Sequence, residues 1–418
     1  MKINPKPIIV FEHTKLMLSR EDPLFKALQQ YHGNGSPYFE LMNKGVKFKE
    51  YVGVIQVGNQ VIEVLPKADK NLEKNGDKWR SILIDMLRSV NRLKAEATSD
   101  SKLNIKSSHI LDLYFELFIE EVEKLLHHGL IKSYRKIDSN LLALKGRIKF
   151  AQHITVNLIH QERFFVRHTT YDNEHLLHKI LYKTLGVLKR INTNTELTSR
   201  IGNLLLNFPE MPDLKVDANL FTKVVYGRKN GGYQKSIEIA KMILLQYHPD
   251  LSNGRNNVLA LMFDMNVLWE EFILATLKKA KHLNFNISAQ PSRNFWKPHL
   301  GYKSRMRPDI WIKLANGEHV ILDTKWKNLN GYNPSAEDLR QMYVYHEYFD
   351  AKKVALLYPG SPFNNAHGSY YLPNGIETGC KQCSVLCVEP EKDIKHWQTQ
   401  IVIGISDWIN GQQLPSSN

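Results

Sequence analysis

Cysteine is nearly absent from this 418-residue chain. The three present, Cys380, Cys383 and Cys387, are odd in number and crowded into one short segment, which excludes a secreted disulfide framework. Long apolar runs are missing as well. Residues 258–263, among the longest such runs, fall far short of the roughly 18 that a membrane span needs. The run 8–11 stops at Glu12, too short for the core of a secretory signal. The chain is therefore expected to be cytoplasmic and to make no use of a membrane. No phosphate-binding loop of the form G-x-x-x-x-G-K-[ST] occurs, so any nucleotide hydrolysis must be supplied by a partner. There is no nucleophile elbow, no internal repeat and no low-complexity tract. Acidic residues are the minority charge: 42 Asp and Glu against 56 Lys and Arg leave a net charge of +14. That balance permits contact with a polyanion, nucleic acid first.

What is present is enough for two or three domains with real cores, at about 150 residues each. In the first hundred residues, two β-branched runs, 52–57 and 60–65, flank Gly58-Asn59, a pair suited to a two-residue hairpin turn. Trp79, Ile82, Leu83, Met86, Leu87 and Val90 recur at helical spacing. Residues 101–250 read as mostly helical, with amphipathic runs at 110–126, 171–188 and 236–247. Lys145-Gly146-Arg147 lies between them as a basic tip, either a partner contact or a solvated turn. Loop residues 249–257 mark a boundary. Three spans follow: 1–100, mixed α/β; 101–250, mostly helical; and 255–418, α/β. The last is expected to fold apart from the rest. After a strong helix at 258–280, strand-like runs at 309–314, 319–323, 353–358 and 384–388 surround a helical span at 336–349, which suits a mixed sheet.

The chemistry concentrates in one hairpin. The strand-like runs around Asp309 and Asp323 flank Ala315-Asn316-Gly317. A three-residue loop with Gly317 left-handed pairs Leu314 with Glu318 and sets Asp309 opposite Asp323, on the same face as Lys325. Two carboxylates that close repel unless a cation separates them. Mg²⁺ binds through one or two carboxylates plus waters and phosphate oxygens, and can activate water against a phosphodiester. Asp323 follows the apolar run Val320-Ile321-Leu322, and Lys297, Lys303, Arg305 and Arg307 precede Asp309 as a basic approach.

Pro308-Asp309 followed by Asp323-Thr324-Lys325 resembles the PD-(D/E)xK nuclease motif. Gln341 and Tyr345 are similar to the Q-x-x-x-Y helix of one branch of that superfamily, and Leu268-Trp269-Glu270-Glu271-Phe272 to its first helix. Residues 52–57, 62–67, 145–148 and 171–175 also look like segments of the McrC family, so the resemblance covers most of the chain. It implies an α+β multidomain protein. An N-terminal β-rich and helical region would precede a restriction-endonuclease-like domain. It further implies a Mg²⁺-dependent endonuclease acting on double-stranded DNA, active only with a hexameric AAA+ GTPase. That partner would bear the DNA-recognition domain, receive the N-terminal region and have its GTPase stimulated. By motif position, Asp309 and Asp323 would be metal ligands, Lys325 the catalytic lysine, and Gln341 and Tyr345 supporting residues. The helix carboxylate would be Glu270, although Glu271 stands nearer the apolar face and the choice stays open. A catalytically silent basic adaptor is the alternative; the intact Asp309, Asp323 and Lys325 favour the enzyme. The spacing of Cys380, Cys383 and Cys387 leaves open a zinc site completed by His367 or His396, against buried free thiols.

Overall fold

The computed structural model describes residues 6–33, 35–67, 75–90, 109–249, 257–280, 285–327, 329, 333–361 and 365–411. The chain forms two compact units. One comprises Ser107–Leu261 with Met1–Pro5, the other Lys6–Lys106 with Met262–Asn418. No helix among the described residues is long and apolar enough to cross a membrane.

In the first unit, helices Ile110–His128, Leu176–Ile191, Thr195–Asn207 and Gln234–Gln246 pack together. Leu177, Ile180, Leu181, Leu185 and Leu188 recur every three or four residues and are buried, which fixes the inward face of the second helix. The side chain of Asn194 caps the third by accepting from the amides of Glu196 and Leu197. This span is less helical than its sequence suggests. Strands Ser133–Leu141 and Phe164–Asp172 pair antiparallel along their whole length, and Arg147–Ile148 joins the second. Both strands are half-exposed, with burial largely alternating from residue to residue, and their longest apolar stretch, Phe164-Phe165-Val166, spans three residues.

The second unit begins with the expected hairpin. Strands Tyr51–Val57 and Gln60–Leu65 pair with Val57 opposite Gln60, and Gly58 takes φ +55° in the turn. Strand Ile8–Phe11 lies parallel to Gln60–Leu65. Helix Gly76–Ser89 buries Trp79, Ile82, Leu83, Met86 and Leu87. The later part of the unit is a six-stranded mixed sheet. Its strand order is Asn286–Ala289, Ile310–Lys313, His319–Thr324, Ala351–Pro359, Glu377–Val388 and Ala366–Tyr371. The three central strands, His319–Thr324, Ala351–Pro359 and Glu377–Val388, run parallel, and the outer ones antiparallel. Helix Ala336–Phe349 forms the crossover between the parallel strands His319–Thr324 and Ala351–Pro359. Helices Pro23–Gly33, Met265–Lys279 and Ile394–Asn410 also belong to the unit, and the helix expected from 258 starts only at Met265 because Val258–Asp264 is a strand.

The three expected spans differ from these units. Residues 6–106 fall in one unit with 262–418 and share a core with them. The indole of Trp79 meets that of Trp326 at 6.5 Å, and Trp326 stacks edge-on against Trp269 at 5.3 Å. Trp269 lies on Trp397 at 5.6 Å, so the aromatic cluster draws on both segments. The Glu12 carboxylate accepts from the Trp326 indole at 2.7 Å. Sequence distance hid this: the halves of one core are separated by the whole of the other unit.

Candidate active site

The site is built on one β-hairpin and two helices of the second unit. Ile310 pairs with Leu322, Trp311 with Ile321 and Ile312 with Val320, and the Leu314 amide donates to the Glu318 carbonyl at 2.9 Å. Gly317 takes φ +86°, the left-handed conformation that a three-residue loop requires. Continuing this register sets Asp309 opposite Asp323, as the sequence indicates. Asp309 Oδ2 accepts from the Thr324 amide at 2.7 Å and from its hydroxyl at 2.9 Å, which pins the carboxylate to the neighbouring strand.

Asp323 is buried at the end of an apolar strand. The Lys325 ammonium lies 2.6 Å from its Oδ2, and the Gln341 amide donates to Oδ1 at 3.3 Å. Gln341 and Tyr345 stand one turn apart on helix Ala336–Phe349. The Gln341 amide also reaches the Tyr345 hydroxyl at 2.7 Å, and that hydroxyl donates to the Arg307 carbonyl at 3.3 Å. Gln341 Oε1 accepts from Lys325 at 3.4 Å. One helix therefore orients the carboxylate, the lysine and the chain entering Asp309.

Glu270 answers electrostatically to the hairpin. Burial, then repulsion by Asp309, pushes its carboxyl up to about 7, against the opposing pull of Gln290 and Arg307. Burial and then Asp309 also raise Asp323, opposed by Lys325. Lys325 loses charge preference to burial but regains more from Asp323, Asp309 and Asp338, so its ammonium is held above the usual range. Three acids crowd one lysine.

The donor set suits a hard cation. Asp323 Oδ2 is fully buried and makes no hydrogen bond of acceptable geometry, only the ion pair with Lys325. Thr324 engages one oxygen of Asp309 alone. Among the described residues no group of three His, Cys, Asp or Glu side chains is placed to hold a metal ion together. Mg²⁺ does not need such a group, since it keeps several waters and takes few protein ligands.

Gln290 carries no sequence signal, yet it belongs here. Its amide side chain donates to Glu270 Oε1 at 2.5 Å, and its backbone N–H donates to the Asp309 carbonyl at 2.9 Å. Other candidates lie elsewhere. Cys383 and Cys387 are buried, and the Cys380 side chain lies outside the described residues. His367 bonds the Ser384 hydroxyl at 2.9 Å and His396 pairs with Glu391, and among the described residues no His and Cys side chains gather as a metal-holding group. Lys145 and Arg147 are exposed on the first unit, far along the chain from the hairpin. Gly146 between them takes φ +81°, and a Cβ there would meet the Arg167 carbonyl oxygen at 2.3 Å.

A family model described as "McrBC 5-methylcytosine restriction system component" matches residues 46–359. A solved chain from the "refined half-complex from tetradecameric assembly of Thermococcus gammatolerans McrB AAA+ hexamers with bound McrC" shares the fold at TM-score 0.69. It is 20% identical, with 96% of this chain and all of that one covered. A chain of the Thermococcus gammatolerans McrBC complex determined by cryo-EM aligns at TM-score 0.48 and 20% identity, over 66% of this chain and 88% of that one. A search of curated proteins gives no significant match.

Proposed function

The chain belongs to the McrBC 5-methylcytosine restriction system component family, and from that premise we propose that it is the DNA-cleaving subunit of such a system. The observation that carries this reading is the convergence of Asp309, Asp323 and Lys325 at one end of a buried hairpin, braced by Gln341 and Tyr345. Asp309 and Asp323 would hold Mg²⁺, which when bound neutralises phosphate charge and makes water a better nucleophile. Lys325 keeps its proton beside these acids and donates to the attacking water or to the oxygen that gains charge. Gln341 holds Lys325 and Asp323 in one orientation through opposite ends of its amide. Glu270, poised near neutral pH, can hold a proton beside the reacting group.

Without a nucleotide-binding loop of its own, the chain needs a partner to couple cleavage to nucleotide hydrolysis. We assign that role to a hexameric AAA+ GTPase, by analogy with the McrB hexamers that hold McrC in the archaeal assembly. The first unit offers a contact surface. Leu142, Leu144, Phe150, Ile154, Leu158 and Ile159 are exposed there, and Lys145 and Arg147 lie among them in sequence. Specificity for the modified base would reside in the partner.

Plasmid cleavage with Mg²⁺, GTP and the partner tests the assignment. Asp309→Ala and Asp323→Ala should each abolish cutting, and still assemble with the partner and stimulate its GTPase. Undiminished cutting by either variant sinks the nuclease reading. A wild-type complex that hydrolyses GTP and never cuts would favour the silent adaptor.

A further inference from the structure

Beside the site stands a feature that the hydrolytic chemistry leaves unused. Strands Arg293–Trp296 and Ser304–Met306 form a two-stranded antiparallel ribbon of their own, outside the six-stranded sheet. Every residue of the first strand is exposed. Towards and past its tip, Trp296 is 61%, Leu300 93% and Tyr302 99% exposed. An isolated ribbon is marginal in water, and bare aromatic side chains at its tip add nothing to its stability. The composition is one-sided as well. Arg293, Lys297, Lys303, Arg305 and Arg307 fall within residues 291–308, which contain no Asp or Glu.

The base of the ribbon is anchored while its tip is bare. The Arg293 guanidinium lies over the Phe349 ring at 4.9 Å and donates to the Tyr348 carbonyl at 2.5 Å. Phe295 packs edge-on against Tyr348 at 5.0 Å. Both partners belong to the helix that carries Gln341 and Tyr345. The returning strand runs directly through Arg307 and Pro308 into Asp309. The ribbon is thus a lever fixed at the active site at one end and solvated at the other.

We propose that residues 293–306 form a DNA arm that enters a groove of the duplex being cut. Lys297, Lys303 and Arg305 would neutralise phosphates, and Trp296 and Tyr302 would press against sugars and bases. A two-stranded ribbon has the width of a groove, and apolar side chains on basic ribbons serve as wedges in groove-binding proteins. Duplex DNA is favoured over a protein occupant because the aromatic residues alternate with cations and the ribbon ends at the acids proposed to cut. The arm deepens the nuclease reading and rests on it for the identity of its ligand.

The test is anisotropy of a fluorescein-labelled DNA duplex titrated with the full chain in EDTA, across a salt series. Lys303→Ala with Arg305→Ala should weaken binding and lower the slope of log K against log salt by about 2, since each phosphate contact contributes about 0.9. Trp296→Ala with Tyr302→Ala should weaken binding about tenfold or more, with the slope unchanged. All four side chains are exposed, so thermal midpoints should match the parent and exclude misfolding as the cause. Parent-like binding by both variants overturns the arm, as does a parent that binds no duplex at low salt. Parent-like DNA binding combined with lost assembly with the AAA+ partner also overturns it, and makes the ribbon a protein contact. Cutting by Asp309→Ala is a separate result, which removes the nuclease reading and leaves the binding data to judge the arm.

Discussion

Gln290 holds two acids with one residue. It sits at φ +46°, one of three non-glycine residues with positive φ among those described. That conformation costs roughly 1 kcal/mol for an L residue, and it persists only where contacts around it compensate. Here its backbone reaches the Asp309 carbonyl and its side chain reaches Glu270. Gln290→Gly would release the backbone strain and drop the Glu270 contact together. Cleavage should therefore fall by roughly tenfold, the scale of one lost hydrogen bond, while the thermal midpoint holds or rises. An unchanged turnover would show that Glu270 needs no positioning. The placement of Asp309, Asp323 and Lys325 was legible in sequence because a strand's two-residue period and one loop length determine who faces whom. Gln341 and Tyr345 were legible through helical spacing. Gln290 was not, since its role comes from a left-handed backbone and a contact 20 residues away.

At the scale of elements, three strand ends meet on Glu12. Ile8–Phe11 stops just before it, and Gln60–Leu65 stops just before Lys67, whose amide donates to Glu12 Oε1 at 2.7 Å. His319–Thr324 ends two residues before Trp326, which donates to the same oxygen. The other oxygen is buried without a hydrogen bond, 4.0 Å from the largely exposed His13 ring. Burial raises this carboxyl to about 8, against the opposing pull of its two donors. A raised acid stabilises the fold fully below its unfolded value, about 4.5, and loses that contribution as pH rises through about 8. The loss is at most on the order of 5 kcal/mol. Glu12→Gln keeps the acceptor and removes the titration. The parent should lose urea resistance between pH 5 and pH 8 by more than the variant does. Burial also raises Glu116 and Glu270, in the same direction, so the difference between the two proteins is the quantity to read. Parallel curves would show that Glu12 does not titrate in this range. The hairpins around Gly58 and Gly317 were legible because glycine marks a turn that only certain backbones can make. The pair Ser133–Leu141 and Phe164–Asp172 was missed because half-exposed strands lack the long apolar signal that strong helices on either side supply.

For the whole molecule, the division of the chain decides how it can be cut apart. A boundary near residue 250 predicts that everything after it folds by itself, and the aromatic core argues against this. Deleting residues 1–106 removes Trp79 from the face of Trp326 and strips Glu12 from its indole. It also removes Ser89, whose hydroxyl accepts from Gln398 at 3.4 Å. Loss of one buried tryptophan typically costs about 3–5 kcal/mol, against a total stability of about 5–15 kcal/mol for a domain. Losing a whole face with it should leave 262–418 without a cooperative fold. Expressed alone, that fragment should show no sharp thermal transition and weak near-ultraviolet dichroism from its tryptophans. Adding residues 6–106 as a separate chain should restore both, because the missing face is then supplied in trans. The segment 107–261 has its own helical core and should melt cooperatively by itself. A sharp transition for 262–418 alone would show that the sheet and its three helices are self-sufficient. Residues 6–106 would then be a docked appendage, free to serve a partner without supporting the active site.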